Sequence, residues 1–543
     1  MMNMFRYGTE SAMKVSVTEA LRTRGDAARA VINAELQQMI TRKVWTEVKP
    51  YSLTGIEHSR VIRSSMFLKE KFLPTGEFEK LKARLVAGGH MQNRDLYEDL
   101  SAPTVATASV FTVLAIAAAE NRSIAAVDIG GAFLHADMSD DINVHMRLEP
   151  RLSGMMVELD PGYADYIDRK GCLTVKLDKA LYGCVESAGL WYGHLSGTLE
   201  SQGYMSNQYD QCVYNKTSAD GVQCTITIHV DDLLLTSTDT TMIDDVREAL
   251  KQRYGDIKEQ KGPIINYLGM TLDASVRGEV SVTMKGYVDD LLAAWQPQGT
   301  ISSPADVGLF VVGDSEKCEE SVRKEYHTRV AKLLYLAKRA RPDCLTTVSY
   351  LATRVKECNK DDYEKLNRLI MFIAGTADRA LKFRPGSEGL RVSVYADAAF
   401  GVHPDGKSHT GSCVVIGDSG PVHCSSRKQG IVTKSSTESE LVALSDSCNQ
   451  GIHMRRFLME QGYDMGPIEV FQDNKSTMAM IERGRSGAEK TRHIDIKYFW
   501  MKEQISTGTA VVTHLGTQLM YTNVLTKPIQ AGHFKRESDL LMG

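Results

Sequence analysis

The stretch Thr225-Ile226-Thr227-Ile228-His229-Val230-Asp231-Asp232-Leu233-Leu234-Leu235 decides how the rest of the chain is read. Apolar and polar residues alternate up to Val230, two carboxylates follow, and an apolar run leads away. Period-two alternation reads as a half-buried strand, and two such strands around a short polar turn read as a β-hairpin. Adjacent carboxylates at a hairpin tip disfavour each other's ionised form unless a cation sits beside them. A hard divalent ion is the natural remedy, because Mg²⁺ takes one or two carboxylates together with substrate phosphates. An isolated Asp-Asp pair would be an ordinary solvated turn. Here apolar strands flank the pair closely on both sides, which turns the reading toward a site.

A similar carboxylate lies upstream, in Ser123-Ile124-Ala125-Ala126-Val127-Asp128-Ile129-Gly130-Gly131-Ala132-Phe133-Leu134. Asp128 ends a small apolar strand, and the Gly-Gly pair lets another backbone or a ligand approach closely. At this point the sequence resembles the reverse transcriptases of copia-type LTR retrotransposons. That family has an Asp ending a strand, an Ala-Phe-Leu a few residues on, and later an aromatic-Val-Asp-Asp hairpin. His229 stands here where the family has Tyr or Phe. The resemblance implies that Asp128 and Asp231 bridge two Mg²⁺ ions, with Mn²⁺ as an alternative, and that Asp232 is more peripheral. It also makes Phe133 the aromatic that leaves a ribose 2′-hydroxyl no room; spacing alone would make it a core residue.

Length and composition bound the reading. At 543 residues the chain is expected to form two to four domains. Its 43% hydrophobic and 24% charged residues are ordinary for a globular protein. No apolar run is long enough for a bilayer, and Met1 to Thr9 lacks the apolar core of a signal peptide. The ten cysteines are scattered without a C-x-x-C or zinc spacing, as in a reduced intracellular chain, and argue against an integrase-type zinc finger. A net charge of −4 does not advertise nucleic-acid binding, although a groove needs only a local basic surface.

Along the chain, Met1 to about Arg24 reads as a lead-in and Ala27 to Met39 as an amphipathic helix. Arg63 to Lys71 and Lys80 to Gly89 make a basic hairpin around Pro74-Thr75-Gly76, similar to the family's fingers hairpin. An incoming triphosphate needs cations, and Lys82 and Arg84 are candidates to supply them; without the resemblance they would be the solvated face of an edge hairpin. Lys179-Ala180-Leu181-Tyr182-Gly183 and Trp191-Tyr192 match the ends of a family segment beside the nucleotide, placing Tyr182 and Gly183 there. Its middle differs, with Val185-Glu186-Ser187-Ala188-Gly189 replacing a run that carries two cations. Tyr267-Leu268-Gly269-Met270 resembles the segment that holds the primer, so Leu268 and Gly269 join His229 as primer-binding candidates. Leu333 to Ala337, Arg341-Pro342-Asp343 and Ala374-Gly375-Thr376 match the connecting region and read as scaffold. The pair Asp289-Asp290 sits in a helical pattern and reads as a solvated face.

The last part resembles a ribonuclease H fold of the copia-type version: a strand ending at Asp397, two antiparallel strands, a long helix with Glu440 near its start, and a strand ending at Asp473. Glu440 is chosen over Glu438 because its helix register faces the strand ends. Acids that hold two Mg²⁺ ions could activate water and stabilise a leaving 3′ oxygen. The family's fourth carboxylate is Asn523 here, so one ion is expected to bind less tightly. His493 is a candidate to assist turnover, or else caps a helix.

The expected architecture is α/β (α+β): right-hand polymerase palm, fingers and thumb, followed by a ribonuclease H-like domain with a mixed five-stranded sheet and flanking helices. The expected divisions are 1–26 lead-in, 27–280 fingers and palm, 281–387 thumb and connection, and 388–535 ribonuclease H-like. The resemblance implies an RNA-directed DNA polymerase with ribonuclease H activity. Its partners would be an RNA template, a DNA primer, the RNA–DNA hybrid and deoxynucleoside triphosphates, with integrase and capsid of the same element and no membrane. It also implies a cytoplasmic location within virus-like particles and nuclear entry of the product complex. No protease, capsid or integrase motif is found, as in the tail of a larger polyprotein or a separate fragment. Two readings compete: a decayed or domesticated nucleic-acid-binding remnant, and an unrelated metal-dependent phosphatase or nuclease.

Overall fold

The computed structural model describes residues 15–72, 78–97, 100, 102–139, 141–386, 389–483 and 492–543; the side chains of 70–72, 78–79, 483, 492–495 and 531 are outside that description. Helix α1 (Val17–Thr41) starts ten residues before the expected Ala27. The chain passes through Gly25 with a kink (φ 48°), a conformation that glycine adopts without a Cβ clash. Ala28, Ile32, Leu36 and Met39 form its buried stripe at three- and four-residue spacing. That stripe packs on the fingers hairpin of β1 (Ile62–Phe72) and β2 (Phe78–Ala87). The hairpin's Pro74-Thr75-Gly76 turn lies outside the described residues.

Helix α2 (Thr107–Glu120) carries no charge until its last residue, and everything from Ser109 to Ala118 is buried. A helix apolar on all sides must be covered on all sides. The palm sheet takes one side of it. In that sheet β3 (Ser123–Ile129) pairs with the second arm of the central hairpin. Helix α3 (Ser187–Ser201) precedes the strands β4 (Met205–Asn207) and β5 (Asp210–Thr217). The central hairpin is β6 (Gln223–His229) and β7 (Asp232–Ser237), and helix α4 (Thr240–Tyr254) leads to β8 (Ile257–Lys261). Among the described residues the sheet order is β8-β3-β7-β6-β5-β4, all antiparallel. Register sets Asp128 opposite Asp232, and His229 opposite Asp232 across the hairpin.

A second hairpin, β9 (Ile264–Tyr267) and β10 (Met270–Asp273), turns through Leu268 and Gly269. Both have positive φ (50° and 78°), the signs of a type I′ turn. Tyr267 shares a hydrogen bond with Thr227 of β6 (2.9 Å), which ties this hairpin to the central one. Helices Lys285–Trp295, Glu320–Ala337, Leu345–Thr353 and Lys360–Ala374 make the connecting scaffold. Its centre is the buried ion pair of Arg341 with Asp343 (2.9 Å). Asp289 pairs with Lys285 on an exposed helix face, as its sequence pattern indicated.

The last sheet consists of β11 (Val392–Ala399), β12 (His409–Ile416), β13 (Pro421–Lys428), β14 (Ile468–Gln472) and β15 (Ala510–His514). The order is β13-β12-β11-β14-β15, antiparallel on the first side of β11 and parallel on the other. Helix α5 (Ser436–Glu460) crosses it, and α6 (Arg492–Ser506) packs on α5. This is the mixed five-stranded, ribonuclease H-like arrangement expected from the sequence. Its strand β13 covers the free side of α2. Residues at and beyond the end of α5 bond to the palm: Asn207 Nδ2 donates to Phe457 O (3.1 Å), Gln223 Nε2 to Gln461 O (2.7 Å) and Arg122 Nη2 to Tyr463 Oη (3.1 Å).

Candidate active sites

In the palm, Asp128 leaves β3 while Asp231 and Asp232 leave the central hairpin, and Ile129 N donates to Asp231 O (3.0 Å). Burial and the neighbouring Asp128 push the Asp231 carboxyl above its ordinary range, while Arg84 and Lys82 pull it back. Arg84 and Lys82 thus lie close enough to act on Asp231, and Tyr182 lies close enough to feel Asp231 and Asp128. The Arg84 guanidinium lies 4.7 Å from the Tyr182 ring centre, and Phe133 meets the same ring edge-on at 4.6 Å. Phe133 is itself buried. What it touches is Tyr182, the core packing that its spacing alone suggested. Gly183 (φ 96°) and Gly89 let the loop run against the end of β2; a Cβ on Gly183 would stand 2.2 Å from Ala87 O.

Two further groups act on this site. Lys258 Nζ, from β8, pairs with Asp128 Oδ2 at 3.0 Å. The turn itself is strained: Val230 has φ 62° and Asp231 a negative φ, the signs of a type II′ turn, whose first central position suits glycine. A β-branched residue held there costs on the order of 1–3 kcal/mol. Trp191 of α3, fully buried, donates its indole N–H to Val230 O at 2.6 Å. His229 and Leu268, with Gly269, sit on the two hairpins joined by Thr227 and Tyr267. The altered loop carries Glu186, buried with Oε1 unbonded; burial pushes its carboxyl up to about 7.

The second site is more compact. Carboxylate oxygens of Asp397, Glu440 and Asp473 lie within 4.8 Å of one another, the only such group of three acids, histidines or cysteines among the described residues. Asp397 lies inside β11 rather than at its end. Glu440 is on α5, with Glu438 serving the helix start by accepting from Lys434 N (2.8 Å). Burial, with Asp397 and Asp473 beside it, pushes the Glu440 carboxyl up to about 9. Hydroxyls orient the other two: Thr526 Oγ1 donates to Asp397 Oδ2 (2.5 Å) and Thr517 Oγ1 to Asp473 Oδ2 (2.8 Å). Lys527 Nζ lies 3.1 Å from Asp397 Oδ2.

Three clustered acids, of which Glu440 has its proton affinity raised by burial and by the other two, with oxygen donors alone, suit a hard divalent cation. The palm acids suit one less fully as they stand, since their oxygens do not reach that mutual separation. Asn523 is buried, and its amide donates to Thr517 O (2.6 Å) while also bonding Glu537. It is therefore linked to Asp473 through Thr517. His493 falls in α6, but its side chain is outside the described ones.

A mixed α/β polymerase-like palm joined to a ribonuclease H-like sheet, each with an acidic centre, is the class that this geometry defines. Residues 60–298 match the family model of reverse transcriptase (RNA-dependent DNA polymerase). The chain is 25% identical over 476 residues to the "Retrovirus-related Pol polyprotein from transposon TNT 1-94" of Nicotiana tabacum, covering 85% of this chain and 34% of that polyprotein. It is 25% identical over 542 residues to the corresponding protein from transposon RE2 of Arabidopsis thaliana (98% and 35%). To the "Transposon Ty1-H Gag-Pol polyprotein" of Saccharomyces cerevisiae it is 26% identical over 534 residues (92% and 27%). The chain thus spans about a third of the length of the curated relatives it matches. A foamy viral protease-reverse transcriptase solved with an RNA/DNA hybrid aligns at 10% identity over 90% of this chain and 54% of that one, with a TM-score of 0.48. Residues 60–298 thus match the reverse transcriptase family model, and nearly the whole chain is similar to part of the Pol polyproteins of these plant and yeast transposons.

Proposed function

We propose that this chain copies RNA into DNA at the palm site and cleaves the RNA of the resulting hybrid at the ribonuclease H-like site. The observation that carries it is the presence of two separate acidic centres on one chain, the palm centre facing the Lys82, Arg84 and Tyr182 cluster. Asp128, Asp231 and Asp232 would hold Mg²⁺ in the palm; Asp397, Glu440 and Asp473 would hold it in the second site. Bound there, the metal supplies Lewis-acid stabilisation of phosphoryl oxygens and a lowered pKa for the attacking hydroxyl or water.

The chain's own residues do the rest. Arg84 and Lys82 offset triphosphate charge, Tyr182 and Gly183 shape the wall beside it, and the Leu268-Gly269 turn supports the primer end with His229. Phe133 stiffens that wall from beneath through Tyr182. In the second site Thr526 and Thr517 keep two carboxylates aimed at one point. The template would be held by phosphates and A-form shape rather than by sequence. Integrase and capsid partners, and a cytoplasmic particle with nuclear entry of its product, belong to the same proposal. Among the described residues no helix is long and apolar enough to cross a membrane.

Primer extension on an RNA template with Mg²⁺ and deoxynucleotides, run beside cleavage of a labelled RNA–DNA hybrid, tests this reading. Both activities are expected. Neither, in a folded chain that still binds the hybrid, would replace it with a binding scaffold.

A further inference from the structure

We propose that Trp191 is a positioning residue for the Asp231 carboxylate, acting through the carbonyl of the strained Val230; this rests on the polymerase reading of the palm. The peptide joining Val230 to Asp231 is planar, so the direction of Val230 O fixes where Asp231 N and Cα lie. Trp191 Nε1 holds that oxygen at 2.6 Å. On the far side of the same residue, Ile129 N holds Asp231 O at 3.0 Å. Asp231 is thus clamped at both of its peptides, once from α3 and once from the strand that carries Asp128.

The clamp has something to resist. Val230 occupies a left-handed conformation (φ 62°) that β-branched residues rarely adopt, so an unrestrained turn would relax and swing Asp231 away from Asp128. The indole is suited to the task because it cannot move. It is buried, and its ring centre lies 5.4 Å from that of Tyr254, whose hydroxyl shares a 2.9 Å hydrogen bond with Thr198 of the same helix α3. His194 and His135 close the ring's other sides at 6.1 and 6.2 Å. The same helix begins next to the Tyr182–Gly183 wall. Any shift of that wall therefore reaches the catalytic turn through Trp191.

The test is a cycle of Trp191→Phe, Val230→Gly and the double variant, read by single-turnover primer extension and by backbone hydrogen exchange. Trp191→Phe is expected to lower the extension rate roughly 10- to 100-fold while the deoxynucleotide KM moves less than about threefold, as for a misplaced catalytic group. With Val230→Gly there is no strain to hold, and adding Trp191→Phe is expected to lower the rate by no more than about threefold. Exchange in 226–236 is expected to rise in Trp191→Phe while that of Val392–Ala399 stays unchanged. Equal rate losses in both backgrounds, or equal rises of exchange in both segments, would overturn the proposal and leave Trp191 as packing. A wild-type chain without extension would remove the polymerase reading alone, because the exchange comparison still decides whether Trp191 holds the turn.

Discussion

The two acidic centres are built from the same parts and finished differently. Each has an aspartate on a strand with a lysine ammonium about 3 Å away: Lys258 on Asp128 and Lys527 on Asp397. In the ribonuclease H-like centre the acids are already gathered, their mutual repulsion met by hydroxyl donors and by the Lys527 ammonium. In the palm they are divided between β3 and a strained hairpin whose shape is imposed from outside by Trp191, and besides Lys258 the cations Lys82 and Arg84 come from the fingers. One centre is already gathered at close range. The other is assembled by its neighbours, and its geometry depends on elements that a substrate would touch.

If the centres are independent, Asp231→Asn should abolish primer extension and spare hybrid cleavage, and Asp397→Asn should do the reverse. Each loss is expected on the order of 10³-fold or more, assayed on the same preparations. Loss of both activities in either variant would break the comparison. If hydroxyl support is what makes the second centre prebuilt, Thr526→Val should lower cleavage roughly 10- to 100-fold and raise the Mg²⁺ concentration for half-maximal rate. Extension should not change.

A smaller effect concerns Asn523, which stands where the resemblance has a carboxylate. Asn523→Asp would remove the amide donor from Thr517 O and set a second carboxylate beside Glu537, a buried carboxyl with Oε2 unbonded. It is expected to destabilise by about 1–3 kcal/mol, seen as a lower thermal midpoint, unless Glu537→Gln accompanies it.

The palm half has a pH signature of its own. Glu186 titrates near 7 when folded instead of the ordinary 4.5, so the folded chain binds the extra proton between those values. Stability from this group is full below about 4.5 and is lost as pH rises through 7. Glu186→Gln should therefore raise the thermal midpoint at pH 8, by an amount equivalent to about 1–3 kcal/mol, and change little at pH 4.5.

The central hairpin and the succession of three strands, a long helix and a further strand in the last part were legible because each element is announced locally, by period-two strands or a helix start. Lys258 was not. It meets Asp128 only because Ile257-Lys258-Glu259-Gln260-Lys261, which has no apolar alternation, is drawn in as the edge strand beside β3. Trp191 was visible as a motif residue, but the need for it comes from the φ of Val230, which no spacing reports. Phe133 shows the reverse case: its bland reading as a core aromatic describes its contact with Tyr182. The helix expected from Ala27 starts at Val17 instead, kinking at Gly25, because the buried stripe extends upstream to Ala20.

Helix α5 carries Glu440 near one end, and at the other Met454 and Phe457 meet the palm, Met454 Sδ accepting from Thr112 Oγ1 at 2.9 Å. The ribonuclease H-like unit is therefore not a detachable module. Excising it near Leu390 would uncover the side of α2 that β13 covers and strip Tyr463 from the buried Arg122. The same cut would leave α5 frayed at the end opposite its carboxylate. For anyone wishing to transplant the nuclease into another scaffold, the domain boundary seen in the chain is the wrong place to cut.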